Sequence, residues 1–381
     1  MSAQVDELPT GIIEAGDARV MVADMSGLSL APASVDVVLF HGGCPDGFTA
    51  AYYAWTVLGD AATYVGIGHG TPEEKEEAAG DLAGKNVVVL DFSFDAATTA
   101  RQLAAAAGYA VLDHHKTAEA NLASLPAPNK IFEMGMSGAT LAHNFFFPPP
   151  AAGAADSSAD GVPLLARYVE DKDIWRWAHH SSKEFAAAFL LAVEVPRPGP
   201  VGAADFAKLH ALATGGGAAL QRLLAQGSVL LRYQESLVKQ HAKRAAKTGT
   251  RRLRAFPALR CAVVNATVLA SEIGNRCASG EVDGAQFALI YSTVPHSGSV
   301  SLSLRSCFGT QEGQADVSKI AQHFGGGGHA CASGCRIATD DINSIFVAPG
   351  ETDEDEGEDE GGQAAQAGEG GGSAAKKQRT A

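Results

Sequence analysis

Three short segments of this 381-residue chain combine imidazole, thiol and carboxylate groups, which are the side chains that bind metal ions and transfer protons. Residues 41–47 read HGGCPDG, a single acid follows at Asp91, and residues 113–115 read DHH. Each segment comes directly after a run of apolar residues. Polar groups at such positions are poorly placed for packing and well placed to bind a metal, so these segments are candidates for one shared metal site.

A fourth polar cluster, residues 170–173 with the sequence EDKD, ends an apolar helical stretch that contains Leu164, Leu165, Tyr168 and Val169. Its carboxylates would close the same site if the end of this helix reaches it.

The elements that must position these groups can be read from the hydrophobic pattern. Residues 37–40, 87–90 and 109–112 are apolar runs rich in β-branched residues, and helix-length segments separate them. Strands that are apolar on both faces are typical of a parallel sheet covered by helices on both sides. We therefore expect a doubly wound, mostly parallel α/β domain, in which ligands bind beyond the carboxyl ends of the strands.

The second half of the chain begins with a long amphipathic helix, predicted from Gly217 to about Ala246, and continues as a smaller α/β domain. The expected organisation is an N-terminal extension at 1–34, a catalytic domain at 35–195, a helical connector at 196–250, a substrate-binding domain at 251–345 and an acidic tail at 346–381. The tail is acidic and rich in Gly, a composition that is typical of disorder.

Charge and composition exclude some classes of function. The net charge is −14, of which residues 1–350 carry −8, so a long nucleic acid is not expected as a stable partner. No apolar run approaches the about 18 residues that span a membrane. The six cysteines form no regular framework and no secretory signal is recognisable, which predicts a cytoplasmic protein. The basic residues Lys376, Lys377 and Arg379 leave a nuclear location as an alternative, and a homodimer is compatible with the sequence.

Taken together, the motifs resemble the DHH phosphoesterase superfamily, whose members include RecJ-like exonucleases, oligoribonucleases, cyclic-dinucleotide phosphodiesterases and manganese pyrophosphatases. The resemblance runs from about residue 36 to residue 340. The HGGCPDG segment, residues 136–140 (MSGAT) and residues 171–175 (DKDIW) are similar to the oligoribonuclease or cyclic-nucleotide phosphodiesterase branch. Residues 325–329 (GGGGH) match the associated C-terminal domain.

This resemblance implies a two-metal site bridged by Asp91, which would also be a catalytic residue. One metal would be held by His41, Cys44 and Asp91. The other would be held by Asp46, Asp91, His114 and one acid of the pair Asp171 and Asp173, of which Asp171 is preferred. The catalytic His115 would lie just outside the metal ligands as a proton donor or a phosphate contact.

In the C-terminal domain the resemblance implies a phosphate-binding site. Its members would be Arg305, His329 and the backbone amides of Gly326, Gly327 and Gly328. Ser137 remains open between a substrate contact and a helix N-cap, and it could serve as both. We interpret Trp175 and Trp177 as packing residues, residues 179–180 (HH) as surface histidines, and Cys331 and Cys335 as buried packing residues.

The chemistry supports these roles independently. Two divalent cations about 3.5–4 Å apart activate a water and stabilise charge on phosphoryl oxygens. Mixed Asp and His ligation suits Mn²⁺ better than Mg²⁺. Cys44 stands where the usual motif has Asp, and its thiolate would favour Zn²⁺ or Fe²⁺ unless the side chain stays unligated.

Three functions therefore remain open. The first is a phosphodiesterase that acts on short oligonucleotides, cyclic nucleotides or cyclic dinucleotides. The second is a phosphomonoesterase or phosphoanhydride hydrolase that cleaves pyrophosphate or polyphosphate. The third is a nucleotide sensor that has lost its metals, for which Cys44 is the only support.

Overall fold

Two six-stranded sheets, joined by one long helix, make up the folded part of the chain. The computed structural model describes residues 23–148, 162–293, 298–307, 315–338 and 341–348. Most of the predicted N-terminal extension and nearly all of the predicted acidic tail lie outside these ranges. None of the helices in the described ranges is both long and apolar enough to cross a bilayer.

The first sheet has the strand order β5-β4-β3-β1-β2-β6, and its first five members run parallel. Only β6 pairs antiparallel, at the edge beside β2. The predicted doubly wound, mostly parallel sheet is therefore confirmed. Its strands are β1 Val37–His41, β2 Thr63–Ile67, β3 Asn86–Leu90, β4 Gly108–Asp113, β5 Lys130–Phe132 and β6 Gly199–Val201.

Both faces of this sheet are covered because successive strand side chains point to opposite sides. Val38 and Phe40 belong to one core, while Val37 and Leu39 belong to the core on the other face. The helices of this domain are α1 Pro45–Leu58, α2 Pro72–Ala79, α3 Ala96–Ala105, α4 Ala118–Leu122, α5 Gly138–Phe146, α6 Leu164–Asp173, α7 Ser182–Ala192 and α8 Ala203–Thr214. Helices α1 and α5 to α8 lie on the first face, and α2 to α4 lie on the second.

The chain reverses its winding direction at β1, which lies between β2 and β3. It first moves outward to β2, then crosses to β3 on the other side and continues to β4 and β5. This order creates a crevice beyond the carboxyl ends of β1 and β3, the place where open α/β sheets bind ligands. His41 ends β1 and Asp91 directly follows β3, so two of the predicted metal ligands lie at this crevice.

The second sheet has the order β11-β12-β10-β9-β8-β7, and of its pairs only β8 and β9 run parallel. Helix α10 packs on one face together with the end of α9, and α11 packs on the other face. The smaller α/β domain predicted here is therefore present. Its elements are β7 Thr250–Leu253, β8 Phe256–Asn265, α10 Ala270–Arg276, β9 Phe287–Thr293, β10 Val300–Arg305, α11 Val317–His323, β11 Gly327–Gly328 and β12 Ala332–Ile337.

Two predicted boundaries shift in the structure. Strand β6 lies inside the predicted connector 196–250 but extends the first sheet by pairing with β2. Phe346 lies in the predicted tail, yet only 5% of it is exposed, because it packs in the second core and forms a bridge with Leu253. The second domain therefore continues past residue 345.

Helix α9, Gly216–Thr248, connects the domains by contributing to both cores. Leu223 packs in the core of the first domain, whereas Val238 and Ala242 pack in the second. Where α9 crosses α7, a Cβ added at Gly227 would lie 1.9 Å from the carbonyl oxygen of Glu184. The glycine is therefore required for the two helices to approach this closely.

We predict that Gly227→Ala destabilises the protein by about 1–3 kcal/mol, because the extra methyl group forces α7 and α9 apart. Gly217→Ala is the matched control, since a Cβ at Gly217 meets nothing within 4 Å. Urea unfolding should show a lower midpoint for Gly227→Ala and an unchanged or slightly higher midpoint for Gly217→Ala. Equal midpoints for the two variants would contradict this account of the crossing.

Candidate active site

Five acids and imidazoles from four segments of the chain meet at the crevice beyond β1 and β3. Asp91 follows β3, His114 follows β4, and His41 ends β1. Asp46 lies in the first turn of α1, and Asp173 is the last residue of α6. The side chains of all five residues are largely or fully buried, with exposed fractions of 0–25%.

Asp91 is at the centre of this group because its two carboxylate oxygens face two different imidazoles. Oδ1 lies 3.0 Å from Nε2 of His114, and Oδ2 lies 3.4 Å from Nδ1 of His41. The backbone of Asp91 has a φ of 65°, a left-handed conformation that is uncommon outside glycine. A residue in this position can present one oxygen to each half of the site, as a bridging ligand must.

The potential ligand atoms of the described residues form three groups: His329 joins His114 and His115 in one, and the other two lie on either side of Asp91. Of these two, one contains Asp46, His114 and Asp173, and the other contains His41, Asp91 and His115. Within each group the ligand atoms all lie within 4.8 Å of one another. Two adjacent groups next to one shared carboxylate are the arrangement that a pair of cations requires.

The N-terminus of α5 holds the Asp46 carboxylate in place. The backbone N–H groups of Gly138 and Ala139 donate to its two oxygens at 2.7 and 2.9 Å. A Cβ at Gly138 would lie 2.4 Å from Cβ of Asp91, so glycine is needed for α5 to begin here. Ser137 caps this helix: its Oγ accepts from the N–H of Thr140, and the side chain is fully buried. Ser137 therefore has the N-cap role that the sequence offered.

Asp113 orients the two histidines that follow it. Its Oδ1 accepts from Nδ1 of His115 at 2.8 Å, and also from the backbone N–H groups of His114 and His115. A carboxylate on one ring nitrogen fixes the tautomer and leaves Nε2 available for a metal or a substrate. The sequence motif contains Asp113, but nothing in the pattern revealed that it supports the histidines rather than joining the ligands.

The geometry favours Asp173 over Asp171, the reverse of the preference drawn from the sequence. Both oxygens of Asp171 accept backbone hydrogen bonds, from Ala178 at 2.8 Å and from His179 at 2.9 Å. Oδ2 of Asp173 lies 3.5 Å from Nε2 of His114 and has no hydrogen-bond partner in the described ranges. Residues two apart on a helix point to nearly opposite sides, so only one of the two acids can face the cluster.

Cys44 lies at the N-cap of α1 beside His41, but it belongs to none of the ligand groups of the described residues. Burial raises the pKa of its thiol and so disfavours the thiolate that would bind a metal, although the neighbouring His41 partly opposes this effect. The structure places His115, instead of Cys44, in the group with His41 and Asp91.

The electrostatics of the cluster indicate a site built for positive charge. Burial, together with repulsion from Asp91 and Asp173, raises the pKa of Asp46 well above its usual value. Burial lowers the pKa of His114, but the hydrogen bond to Asp91 and the charges of nearby carboxylates outweigh it and raise this pKa to about 10. Oδ2 of Asp91, Oδ2 of Asp173 and Nδ1 of His41 are buried without hydrogen-bond partners among the described residues. Divalent cations would satisfy these atoms and relieve the repulsion between carboxylates, so the residues present fit the predicted metals.

A cavity of about 660 Å³ opens from this cluster and reaches the second domain. Its polar lining includes His41, Asp46 and His115 at the metal side. Its apolar lining comes from α6 and α7. The second-domain lining includes Ser271, Asn275, Arg305, Ser306, His329, Cys331 and Ala332.

Arg305 is a half-buried cation that lines this cavity, as does Lys172, whose ammonium group pairs with Glu272. Its Nε and Nη2 donate to Oγ of Ser271, and its Nη1 donates to the carbonyl oxygens of Leu304 and Ser333. No carboxylate of the described residues forms an ion pair with it, and burial lowers its pKa. A guanidinium that is oriented but not neutralised suits an anionic ligand.

His329 reaches back from the second domain to the metal side. Its ring stacks on that of His115, with centroids 4.7 Å apart and an angle of 18° between the planes. Burial and the positive charges of His115 and His114 lower the pKa of His329 to about 3. His329 was predicted to bind a substrate phosphate in the second domain, and the structure places its ring against His115 and within a candidate ligand group with His114 and His115.

The glycine run before His329 has a steric role in the structure. A Cβ at Gly326 would lie 2.1 Å from the carbonyl oxygen of Gly334, and Gly328 has a φ of 131°. Gly327 and Gly328 form β11, and the N–H of Gly328 donates to Oγ1 of Thr117 at 3.4 Å. None of the three glycines lines the cavity, so the structure does not bring their amides to the predicted phosphate position.

Several other interpretations change in the structure. His179, interpreted as a surface residue, is 8% exposed. Cys331 and Cys335 are half-buried, and Cys331 lines the cavity. Trp175 also lines the cavity, with Nζ of Lys172 4.1 Å from its ring centroid.

Fold and site together resemble the DHH, or RecJ-like, class of phosphoesterases, in agreement with the motifs. No protein-family model matches the chain. The chain is 28% identical over 313 residues to an uncharacterized protein of Acanthamoeba polyphaga mimivirus, a match that covers 79% of this chain and 67% of that protein. It is 42% identical over 86 residues to the oligoribonuclease NrnB of Bacillus subtilis, covering 23% of this chain and 19% of that enzyme. The NrnB match confirms the resemblance that the motifs indicated.

Two solved structures are similar to the chain at low sequence identity. The pGpG-specific phosphodiesterase PggH of Vibrio cholerae has a TM-score of 0.41 and 12% identity, and the match covers 82% of this chain and 96% of that one. Exonuclease RecJ bound to manganese has a TM-score of 0.42 and 15% identity, covering 85% and 92%.

We predict opposite effects for the two aspartates of α6, Asp171 and Asp173. Asp173→Asn should weaken Mn²⁺ binding at least tenfold and leave the unfolding midpoint unchanged or higher, because it removes a buried charge that no hydrogen bond compensates. Asp171→Asn should keep Mn²⁺ binding and lower the free energy of unfolding by about 1–3 kcal/mol, because its amide group would face a backbone N–H donor.

Isothermal titration with Mn²⁺ and urea unfolding of both variants measure these effects. Weaker Mn²⁺ binding by Asp171→Asn with normal binding by Asp173→Asn would overturn the assignment.

Proposed function

We propose that the chain is a metal-dependent phosphodiesterase that hydrolyses short oligonucleotides, linear dinucleotides or cyclic dinucleotides. The observation that carries this proposal is the Asp91 carboxylate, whose two oxygens face His41 of one ligand group and His114 of another, at one side of a cavity whose other side contains Arg305. Resemblance to oligoribonuclease NrnB over the matched 86 residues supports the same class of reaction.

Two cations fit the ligand groups, and the mixed acid and imidazole donors favour Mn²⁺ over Mg²⁺. His41, Asp91 and His115 would hold one, and Asp46, Asp91, His114 and Asp173 would hold the other. When bound, such a pair supplies a hydroxide nucleophile near neutral pH and offsets charge on the phosphoryl oxygens.

The protein residues position this chemistry. Asp91 sets the spacing of the two groups, because each of its oxygens faces a different one. Asp113 accepts a hydrogen bond from Nδ1 of His115, which leaves Nε2 of His115 available to a cation or to the leaving oxygen of the substrate. Asp46 keeps its orientation through the backbone donors of α5, independently of any ligand.

Arg305 provides the second anchor for an anionic substrate. Its hydrogen bonds to Ser271 and to two carbonyl oxygens fix the plane of the guanidinium before any substrate arrives. A substrate with one phosphate at the cations and another at Arg305 would be bound at both ends, which lowers the entropy cost of orienting it.

The size of the cavity supports a short substrate. At about 660 Å³ it lies within the range of about 300–1,000 Å³ that is typical of small-molecule sites. The net charge of −14 also supports a small substrate over a long polyanion.

The alternative functions have less support. The apolar lining from Phe185, Phe189 and Leu190 suits a nucleobase and offers nothing to pyrophosphate or polyphosphate. A sensor without metals was suggested by Cys44 alone, and two complete ligand groups form without this residue.

We predict that the purified full-length chain with Mn²⁺ hydrolyses a dinucleotide and a five-residue RNA, and that it cleaves pyrophosphate and a phosphomonoester at least a hundredfold more slowly. Asp91→Asn should lower kcat for the dinucleotide by at least about a hundredfold, since one of its oxygens becomes an amide that cannot bridge. Product release is followed by chromatography, and circular dichroism verifies that the variant is folded. Faster cleavage of pyrophosphate than of the dinucleotide would reject the diesterase in favour of the anhydride hydrolase.

We further predict that Arg305→Gln raises KM for the dinucleotide by about tenfold or more and changes kcat little, because it removes a charged phosphate contact away from the reacting bond. Arg232→Gln, at an exposed position of α9, is the charge-matched control. Steady-state kinetics of both variants give the comparison. An equal effect of the two substitutions would show that Arg305 contributes only overall charge.

A further inference from the structure

Helix α10 presents two polar side chains to the cavity. Ser271 and Asn275 are four residues apart and therefore lie on the same face of the helix. Both line the cavity, while Ile273 and Cys277 on the other face are buried in the second core. The face of α10 that carries Ser271 and Asn275 would therefore contact a ligand bound in the cavity.

Ser271 already has a role, because its Oγ accepts two hydrogen bonds from Arg305. Gly274 allows this close approach: a Cβ at Gly274 would lie 2.7 Å from Cβ and Cγ of Arg305. Ser271 and Asn275 are separated by about 6 Å along the helix, a distance that a nucleotide spans between its phosphate and its base. A nucleotide with its phosphate on Arg305 can therefore bring its base to Asn275.

The Asn275 amide is free to bind a ligand. Its side chain is half-buried and makes no hydrogen bond to the residues that the structure describes, although its backbone carbonyl accepts from Oγ of Ser279. An Asn side chain offers a donor and an acceptor side by side. The apolar lining from Phe185 and Phe189 can pack against the face of a base whose edge meets such an amide.

From this arrangement we infer that Asn275 recognises the base of the nucleotide bound at Arg305, and that the preferred base is adenine. Adenine presents a donor at N6 beside an acceptor at N7, which matches one Asn amide in a bidentate pair. Guanine presents two acceptors, O6 and N7, on the same edge and can use only the donor of the amide. Asn275 is therefore a specificity-determining residue, and this inference rests on the proposed function.

The test compares the dinucleotides pApA and pGpG as substrates of the full-length protein with Mn²⁺. Wild type should have a kcat/KM for pApA at least about tenfold higher than for pGpG, the discrimination that one bidentate pair provides. Asn275→Asp should reduce this ratio to about one or below, mainly through KM for pApA, because a carboxylate cannot donate to N7. Asn265→Asp, the same substitution at an exposed position outside the cavity, should keep the wild-type ratio.

Failure of this inference is distinguishable from failure of the proposed function. Hydrolysis of both dinucleotides by wild type at equal kcat/KM, or an unchanged ratio in Asn275→Asp, would overturn the role of Asn275 and leave the phosphodiesterase intact. If wild type hydrolyses neither dinucleotide, the proposed function fails, and calorimetric titration with AMP and GMP then tests the base preference alone. Tighter binding of AMP that is lost in Asn275→Asp would support the inference, and equal binding of the two nucleotides would overturn it.

Discussion

One buried carboxylate with two imidazole neighbours is the constraint on which the site depends. Asp91 can face His41 with one oxygen and His114 with the other only because β1 and β3 end side by side at the reversal of the sheet. The arrangement has a conformational cost, seen in the left-handed backbone of Asp91 and in the requirement for glycine at position 138. Strain of this kind persists where the surrounding structure holds the residue in place, as two buried cores do here.

Without bound cations, the same cluster lowers the stability of the folded state. Three carboxylates, those of Asp46, Asp91 and Asp173, lie close together in a buried region. Burial and repulsion from neighbouring carboxylates raise the pKa of Asp46 and of Asp173, whereas hydrogen bonds from His114 and His41 outweigh burial and hold the pKa of Asp91 well below its usual value. Histidines and backbone donors from α5 offset part of this cost. Ligands that bind only the folded state stabilise it by mass action, so cations at this site would contribute to stability as well as to chemistry.

Much of the fold and half of the site could be predicted from the sequence because the signals were local. Apolar runs followed by polar residues identified the strands and placed His41, Asp91 and His114 at one edge of the sheet. The choice between Asp171 and Asp173 depends instead on which way the last turn of α6 faces, and the loop at residues 178–179 decides this by donating to Asp171. No local pattern encodes that contact.

Other differences between the predicted and the observed site also arise from contacts that no local sequence pattern encodes. His115 forms a ligand group with His41 and Asp91, whereas Cys44 belongs to none of the groups among the described residues although it lies beside His41. The glycine run was predicted to bind phosphate through its amides, yet Gly326 and Gly328 are required by their close packing against β12. Asn275 carries no motif at all, and its relation to Arg305 arises only from the fold of α10 over β10.

The position of the second domain is linked to the metal cluster through two ion pairs between the domains. Nζ of Lys116 lies 2.6 Å from Asp316, and Nζ of Lys172 lies 3.1 Å from Glu272. Partly exposed pairs of this kind contribute only about 0–1 kcal/mol, so they cannot hold the domains together alone. The packing of α9 into both cores provides that connection, while each lysine directly adjoins a cluster residue, His115 or Asp173. The segments that carry His115 and Asp173 therefore also contact the second domain, whose wall of the cavity contains Arg305.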